Sequence, residues 1–139
     1  MKRQDRYPDT ESFHYYNANP KNRITSDCVV RALTAATKIP YNEVVLELAK
    51  IQCSTGYDCS ENRVIDKFLT SHGFVKNHQP RKFDNTKYTG KEFCRSIQGL
   101  DETIVANIGG NHLVAILDDK IHDIWDSSDG CIGIYWSKI

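Results

Sequence analysis

The chain has 139 residues, the usual size of one compact domain, and its 40% apolar and 26% charged residues are typical of soluble globular proteins. Eighteen basic residues balance eighteen acidic ones, which argues against a nucleic-acid-binding or anionic-membrane-binding protein, because both need a net basic surface. No stretch approaches the roughly 20 apolar residues of a membrane-spanning helix, and the polar start lacks the apolar run of a signal peptide, so we expect a cytoplasmic protein.

The chain is predicted to form a single domain over residues 1–139, which begins with an N-terminal lead-in. Residues 1–25 are rich in polar side chains and indicate an extended lead-in, which Phe13, Tyr15 and Tyr16 would attach to the domain. Thr25, Ser26 and Asp27 are three successive candidate N-caps for a helix that begins directly after them.

Residues 26–98 are predicted to be mainly helical. In the first helix, apolar side chains recur at i, i+4 and i+7, as expected for one buried face. Gly73 stands where a helix C-terminus often has glycine, and residues 75–89 are polar and predict irregular structure. The predicted helices cover residues 28–37, 41–51, 61–72 and 91–97.

Residues 99–139 change to a β pattern. Short runs rich in branched apolar residues are separated by Gly109-Gly110 and by Asp118-Asp119, which indicate tight turns. Helices followed by an antiparallel sheet predict an α+β fold. The predicted strands cover residues 103–108, 112–117, 120–125 and 132–136.

Five cysteines without regular spacing predict free thiols in a reducing compartment. We consider one metal-binding alternative, formed by Cys53, Cys59 and either His72 or His78. Five residues separate the two cysteines, whereas zinc sites usually have two to four between them. We therefore expect no metal and no cofactor, and no role can be assigned to Cys53, Cys59, Cys94 or Cys131.

Cys28 is the candidate nucleophile because it opens the first predicted helix. A thiol in the first helical turn lies at the positive end of the helix dipole, which favours the reactive thiolate. The free backbone N–H groups of that turn can also stabilise a negatively charged oxygen on a substrate carbonyl. The alternative is a small buried side chain, as many free cysteines are.

His112 is the candidate general base. It begins a predicted strand directly after Gly109-Gly110-Asn111 and shares a strand face with Val114 and Ile116, which predicts a partly buried imidazole. Small residues beside it would let a substrate backbone approach. A histidine of the hydrophobic core is the alternative interpretation.

Asp126 is the predicted acid that orients His112. It ends the run that precedes Ser127-Ser128-Asp129-Gly130, and an acid at the end of a strand antiparallel to that of His112 can reach the imidazole. Asp123 is the competing acid. A turn-initiating role for Asp126 is the other possibility.

Asn22 is the predicted side-chain donor to the oxyanion, six residues before Cys28, where an amide could assist the backbone N–H of Cys28. Asn19 is a rival of the same chemistry. An unremarkable asparagine in a polar loop is the alternative for both.

These motifs together resemble the C39-like, bacteriocin-processing peptidases, a branch of the papain-like cysteine peptidases. Residues 22–28 (Asn-Arg-Ile-Thr-Ser-Asp-Cys) are similar to the start of that family, in which an oxyanion-hole Gln precedes an Asp-Cys or Glu-Cys pair by six residues. Residues 110–116 look like its histidine strand, and residues 126–130 look like its Asp-Pro-Ala-x-Gly turn. The chain also resembles short bacterial and phage proteins with an Asp-Cys helix and a Trp-Asp-Ser-Ser-Asp turn.

The resemblance covers about a fifth of the chain and implies a papain-like fold with a Cys28-His112-Asp126 triad. This sequence departs from the family where Asn22 replaces Gln and Ser127 replaces Pro. The family cleaves after a Gly-Gly pair and is often fused to a transporter; because this chain carries no transporter segment, we do not carry that substrate over.

The sequence therefore predicts a cysteine hydrolase that cleaves a peptide or isopeptide bond through a thioester, in a bacterial or phage-infected cell. The expected partner is a peptide or protein substrate, with neither nucleic acid nor membrane, and the oligomeric state is not predicted. Two alternatives share the fold: a binding or inhibitory protein, such as a phage factor that targets a host protein, with an idle triad, and an acyl or amide transferase that uses the same triad.

Overall fold

The computed structural model describes all 139 residues as an α+β protein with five helices and a six-stranded mixed sheet. None of the helices is both long enough and apolar enough to cross a membrane. The elements in chain order are α1 (Arg3–Arg6), β1 (Phe13–Tyr15), α2 (Cys28–Thr37), α3 (Tyr41–Thr55), α4 (Asn62–Ser71), β2 (Phe74–Asn77), α5 (Gly90–Ser96), β3 (Ile104–Ile108), β4 (His112–Leu117), β5 (Lys120–Asp123) and β6 (Ile132–Lys138).

The sheet has the strand order β1-β5-β4-β3-β6-β2. All neighbouring strands pair antiparallel except β1 and β5, which are parallel. In the centre, Ile108 of β3 pairs with His112 of β4 across the Gly109-Gly110 turn. Both glycines have positive φ, 62° and 96°, which side chains rarely adopt, so this turn explains the glycine pair in the sequence.

The sheet lies between two hydrophobic cores, because its side chains alternate between its faces. Leu113 and Ala115 of β4 pack with Trp136 against the helices α2, α3 and α4 on one face. Val114 and Ile116 of the same strand pack with α5 and with Phe13 of β1 on the other face. Both faces of β4 are therefore buried, which fixes its position relative to α2.

Several predicted boundaries differ from the structure. The lead-in over residues 1–25 is not simply extended, since it contains α1 and β1, and the polar segment 75–89 includes most of the edge strand β2. The second helix runs on to Thr55, where Gly56 ends it with φ of 77°. The sheet is mixed, not antiparallel throughout, because the lead-in adds β1 in parallel to β5.

The most consequential difference is the end of β5, which stops at Asp123 and not at residue 125. Burial alternates along β5: Ile121 and Asp123 are buried, whereas Lys120 and His122 are only partly buried. Beyond Asp123 the chain turns away, and Trp125 is 36% exposed. The strand-end acid is therefore Asp123, and Asp126 belongs to the turn that follows.

Candidate active site

Cys28 lies at the first position of α2, as predicted. The N-cap residue is Asp27, but its side chain makes no capping hydrogen bond, and the first helical N–H with an intrahelical partner is that of Arg31, which donates to the Asp27 carbonyl over 2.9 Å. The N–H groups of the first turn are thus free of intrahelical partners beside a half-buried sulfur. This geometry suits the stabilisation of an anion.

His112 contacts Cys28 at the point where the start of β4 meets the start of α2. A hydrogen bond from the imidazole lowers the pKa of the Cys28 thiol from its usual 9.0; burial opposes this shift, and the backbone N–H of Leu113 adds to it. Burial would lower the pKa of His112, yet its hydrogen bonds to Asp123 and then to Cys28 raise it to about 9. A lowered thiol pKa beside a raised imidazole pKa favours a thiolate–imidazolium pair.

Asp123 is the acid that forms a hydrogen bond with the imidazole of His112. The distance from His112 Nε2 to Asp123 Oδ2 is 2.5 Å. Asp123 is 2% exposed, and its other oxygen accepts the backbone N–H of Ile124 over 2.8 Å. An acid held in this way fixes the tautomer and orientation of the ring.

Asp126, the acid that the sequence favoured, does not contact His112. One of its oxygens accepts the backbone N–H of Ser128 over 3.0 Å, the local bond of a turn-initiating aspartate. The prediction of Asp126 as the third triad member is therefore wrong in geometry. The reason is the early end of β5 at Asp123. When the β4–β5 register is continued, Asp123 lies diagonally across from His112, within reach of its side chain. Asp126 lies three residues beyond the end of the strand.

Arg31 is a residue of the site that sequence reasoning missed. It is 6% exposed, donates from Nε to Asp27 Oδ1 over 2.7 Å, and donates from Nη1 to Asp123 Oδ1. The burial of the guanidinium is offset by these two carboxylates, which together raise the pKa of Arg31. One cation thus connects Asp27, the residue before Cys28, with Asp123, the acid beside His112.

Asp27 is the other end of this buried network. Tyr41 donates to its Oδ2 over 2.6 Å, and the Asn19 amide donates to the same oxygen over 3.0 Å. Burial works against ionisation of Asp27, but the hydrogen bonds from Tyr41, Arg31 and Asn19 outweigh it and lower the pKa of the carboxyl. Burial and the bond to Asp27 in turn raise the pKa of Tyr41 to about 12.

Asn22 is not part of this network, contrary to its predicted role. It is exposed, has positive φ (54°), and its side-chain oxygen lies 3.4 Å from the amide nitrogen of Asn17. It lines a surface depression with residues of the N-terminal segment, among them Lys2, Arg3 and Tyr15, and not the surroundings of Cys28. Its rival Asn19 is close to the site but donates to Asp27, so the backbone N–H groups of α2 are the donors that the structure offers.

Trp125 covers the imidazole from the solvent side. The ring centroids of Trp125 and His112 lie 4.9 Å apart at an interplanar angle of 40°. The two rings form part of the wall of a small cavity of about 220 Å³, which Asp126 and Ser127 also line. The site therefore has a recess directly beside the base.

The metal-binding alternative finds no support in the structure. No three His, Cys, Asp or Glu side chains are grouped so that they could hold a metal ion. His72 instead contacts Glu47, 2.6 Å from Nε2 to the carboxylate. Among the remaining thiols, burial raises the pKa of Cys94 to about 12, which makes it unreactive, while Cys53 and Cys131 are exposed.

The sequence contains a signal for Arg31, which was not predicted, and one that favours Asp123, the competing acid, over Asp126. Arg31 stands four residues after Asp27, the spacing of an ion pair on one helix face, but most such pairs are solvated and carry no functional information. Asp123 lies two residues after Ile121 and therefore on the same face of β5, which indicates that its side chain points inward.

A scan against protein-family models, a search of curated proteins and a search of solved structures found no significant match to this chain.

Proposed function

We propose that the chain is a cysteine hydrolase with a papain-like fold that cleaves a peptide or isopeptide bond. Cys28 is the nucleophile, His112 the general base and acid, and Asp123 the orienting acid. The observation that carries the proposal is the position of His112 at the start of β4, with Nε2 2.5 Å from Asp123 Oδ2 and the imidazole close enough to the Cys28 thiol to lower its pKa.

The chemistry follows from this arrangement. The Cys28 thiolate attacks the substrate carbonyl, and the free N–H groups at the start of α2 stabilise the oxyanion that forms. The His112 imidazolium then donates its proton to the leaving amine, the C–N bond breaks and a thioester remains. Water, deprotonated by His112, hydrolyses the thioester and regenerates the thiol.

The papain-like assignment rests on chain order and architecture. A helix that begins with the nucleophile precedes an antiparallel strand that begins with the base, and the acid follows on the next strand. The resemblance to the C39-like peptidases supports the same order, although the acid here is Asp123 and not the aspartate of the turn. A peptide or protein substrate and a cytoplasmic location, in a bacterial or phage-infected cell, belong to the same proposal.

A peptide-library digest tests the hydrolase proposal. The purified protein is incubated with a proteome-derived peptide mixture, and new peptide termini are counted by mass spectrometry. We expect a recurrent set of new termini that is absent with Cys28→Ala and retained with Cys131→Ala, which removes an exposed thiol outside the triad. Equal termini with the wild type and Cys28→Ala, or none with either, would contradict the proposal.

A further inference from the structure

The recess beside His112 contains a carboxylate without a cationic partner. Asp126 makes no ion pair: its Oδ1 accepts the Ser128 N–H, and no Lys, Arg or His nitrogen lies within 4.0 Å of its carboxylate. Lys91, which also feels the charge of Asp126, forms its ion pair with the exposed Asp129 over 2.9 Å. Asp126 is therefore free to bind a cation from outside the chain.

Ser127 provides a second, independent sign of a ligand. It is 7% exposed, it lines the same cavity, and its hydroxyl oxygen has no hydrogen-bond partner. A buried hydroxyl without a partner costs free energy, which an N–H donor in the cavity would recover. The carboxylate can accept from an ammonium group directly, and the buried hydroxyl can accept after the Ser127 side chain turns toward the recess.

Trp125 completes the surroundings of the recess. Its partly exposed indole lines the cavity next to Asp126, and an aromatic face attracts a cation. The turn that carries Asp126 and Ser127 is held by α5, because the N–H groups of Gly90 and Lys91 donate to the carbonyls of Gly130 and Ser128 over 2.9 and 3.0 Å. The recess is thus preformed.

The position of the recess identifies which part of a substrate would occupy it. A general acid must contact the leaving amine, so the leaving part of the substrate lies on the His112 side of the sulfur. His112 and Trp125 form part of the wall of the cavity, so the cavity lies on this side. At about 220 Å³ it is below the roughly 300 Å³ of small-molecule sites, which suits a single side chain.

We propose that Asp126, Ser127 and Trp125 form a subsite for an alkylammonium group in the leaving part of the substrate, so that the enzyme prefers a lysine-like side chain directly after the scissile bond. This inference rests on the proposed hydrolase function, because only a hydrolase releases a leaving part of its substrate. Binding of an ammonium group in the recess can nevertheless be measured without catalysis.

The charges around the recess are compatible with this preference. The His112 imidazolium faces the cavity, but Asp123 and the Cys28 thiolate offset its charge. Asp126 and Asp129 contribute two negative charges at the wall, and Lys91 offsets only one of them. An incoming ammonium therefore meets a net negative wall.

A binding experiment without turnover tests the subsite. The chain has two tryptophans, whose indole N–H resonances are followed by NMR during titration with lysinamide or norleucinamide. Both ligands carry the α-ammonium that mimics the released amine, and they differ in the ammonium of the side chain. Trp136 is fully buried and serves as an internal reference for the fold.

We expect lysinamide to shift the Trp125 resonance at several-fold lower concentration than norleucinamide does. Asp126→Asn should weaken lysinamide binding about fivefold or more and remove the preference, while an Asn side chain can still accept the Ser128 N–H. Asp118→Asn, the loss of one charge in an exposed turn outside the recess, should change binding less than twofold.

Equal affinity for the two ligands, or an unchanged preference in Asp126→Asn, would overturn the subsite, and an equal loss in both variants would reduce it to general electrostatic attraction. The two proposals are separated by comparing this titration, which Cys28→Ala should leave unchanged, with the peptide digest of the wild type. A preference for lysinamide without peptide cleavage would support the subsite and reject the hydrolase. Peptide cleavage without that preference would support the hydrolase and reject the subsite.

Discussion

His112 connects two charged groups, and its properties depend on both. Nε2 of His112 lies 2.5 Å from Asp123 Oδ2, and the hydrogen bonds to Asp123 and then to Cys28 raise the pKa of the imidazole to about 9. Trp125 packs on the ring and limits access of water from one side. The protonation of His112 therefore depends on both neighbouring groups.

The assignment of the acid predicts different effects of two similar substitutions. Asp123→Asn removes the hydrogen bond that contributes most to raising the pKa of His112, so that pKa should fall from about 9 by about one to three pH units. Asp126→Asn, the matched control three residues away, should leave it unchanged. NMR titration of the His112 ring measures both, and a larger effect of Asp126→Asn would show that the acid has been misassigned.

The positions of two of the three proposed triad residues could be predicted from the sequence because each marks the start of an element. Cys28 follows polar capping residues, and His112 follows a glycine turn. The acid depended on the exact end of β5, and a difference of two residues in that boundary selected Asp126 over Asp123. Arg31 could not be predicted, since a sequence does not show whether a helical arginine is solvated or buried.

At the scale of the elements, α2 carries most of the site. Its N-cap residue Asp27, its first residue Cys28 and the next-turn Arg31 lie on one side of the helix, which faces β4 and β5. The buried Arg31 ties this helix to the end of β5 through Asp123. The pairing of α2 with the sheet therefore determines the distance between nucleophile and base.

This role of Asp27 predicts a pH-dependent loss of stability. Asp27→Asn leaves Arg31 with one carboxylate and should lower the free energy of unfolding by about 3 kcal/mol at pH 7, as for other broken buried pairs. Because the pKa of Asp27 is lowered in the folded state, its contribution is present above pH 3.8 and is lost as the pH falls through the folded value.

Urea unfolding at pH 7 and at about pH 3 measures this difference, which should shrink at the lower pH. Asp118→Asn serves as the control, since Asp118 is exposed in a turn with positive φ that asparagine tolerates; its effect should stay within about 0.5 kcal/mol. A loss for Asp27→Asn that is equal at both pH values would mean that its charge does not stabilise the fold.

At the scale of the whole molecule, the N-terminal segment is part of the domain. β1 pairs with β5 next to the acid, and the N–H of Tyr16 donates to the carbonyl of Asp123 over 2.9 Å. Arg3 donates from Nε to the carbonyl of Ile124 over 2.7 Å. The first sixteen residues thus hold the strand that presents Asp123.

Phe13 makes this contribution measurable. Its side chain is fully buried among Ile104, Ile116 and Ile121, so Phe13→Ala should lower the free energy of unfolding by about 3–5 kcal/mol. Phe83 is fully exposed, and the identical substitution there should change stability by less than about 0.5 kcal/mol. Similar small effects at both positions in urea unfolding would mean that the N-terminal segment is not packed on the sheet.

The overall α+β class could be predicted, but the order of strands could not. Helical and strand periodicity identified α2 to α5 and β3 to β6 within a few residues. β1 and β2 were not predicted because they are short, with three and four residues, and include polar side chains. Both are edge strands. Parallel pairing of β1 with β5 depends on contacts between residues about 108 positions apart, which local patterns do not encode.

The central claim is that Cys28 and His112 form a thiolate–imidazolium pair, and the pH dependence of alkylation at Cys28 tests it most directly. Iodoacetamide modification is followed by peptide-resolved mass spectrometry from pH 5 to 10, with the exposed Cys53 as the reference in the same molecule. We predict that Cys28 reacts at pH 6 at least tenfold faster than Cys53, because the pKa of the Cys28 thiol is lowered. Parallel pH profiles for the two thiols would contradict the ion pair and with it the proposed catalysis.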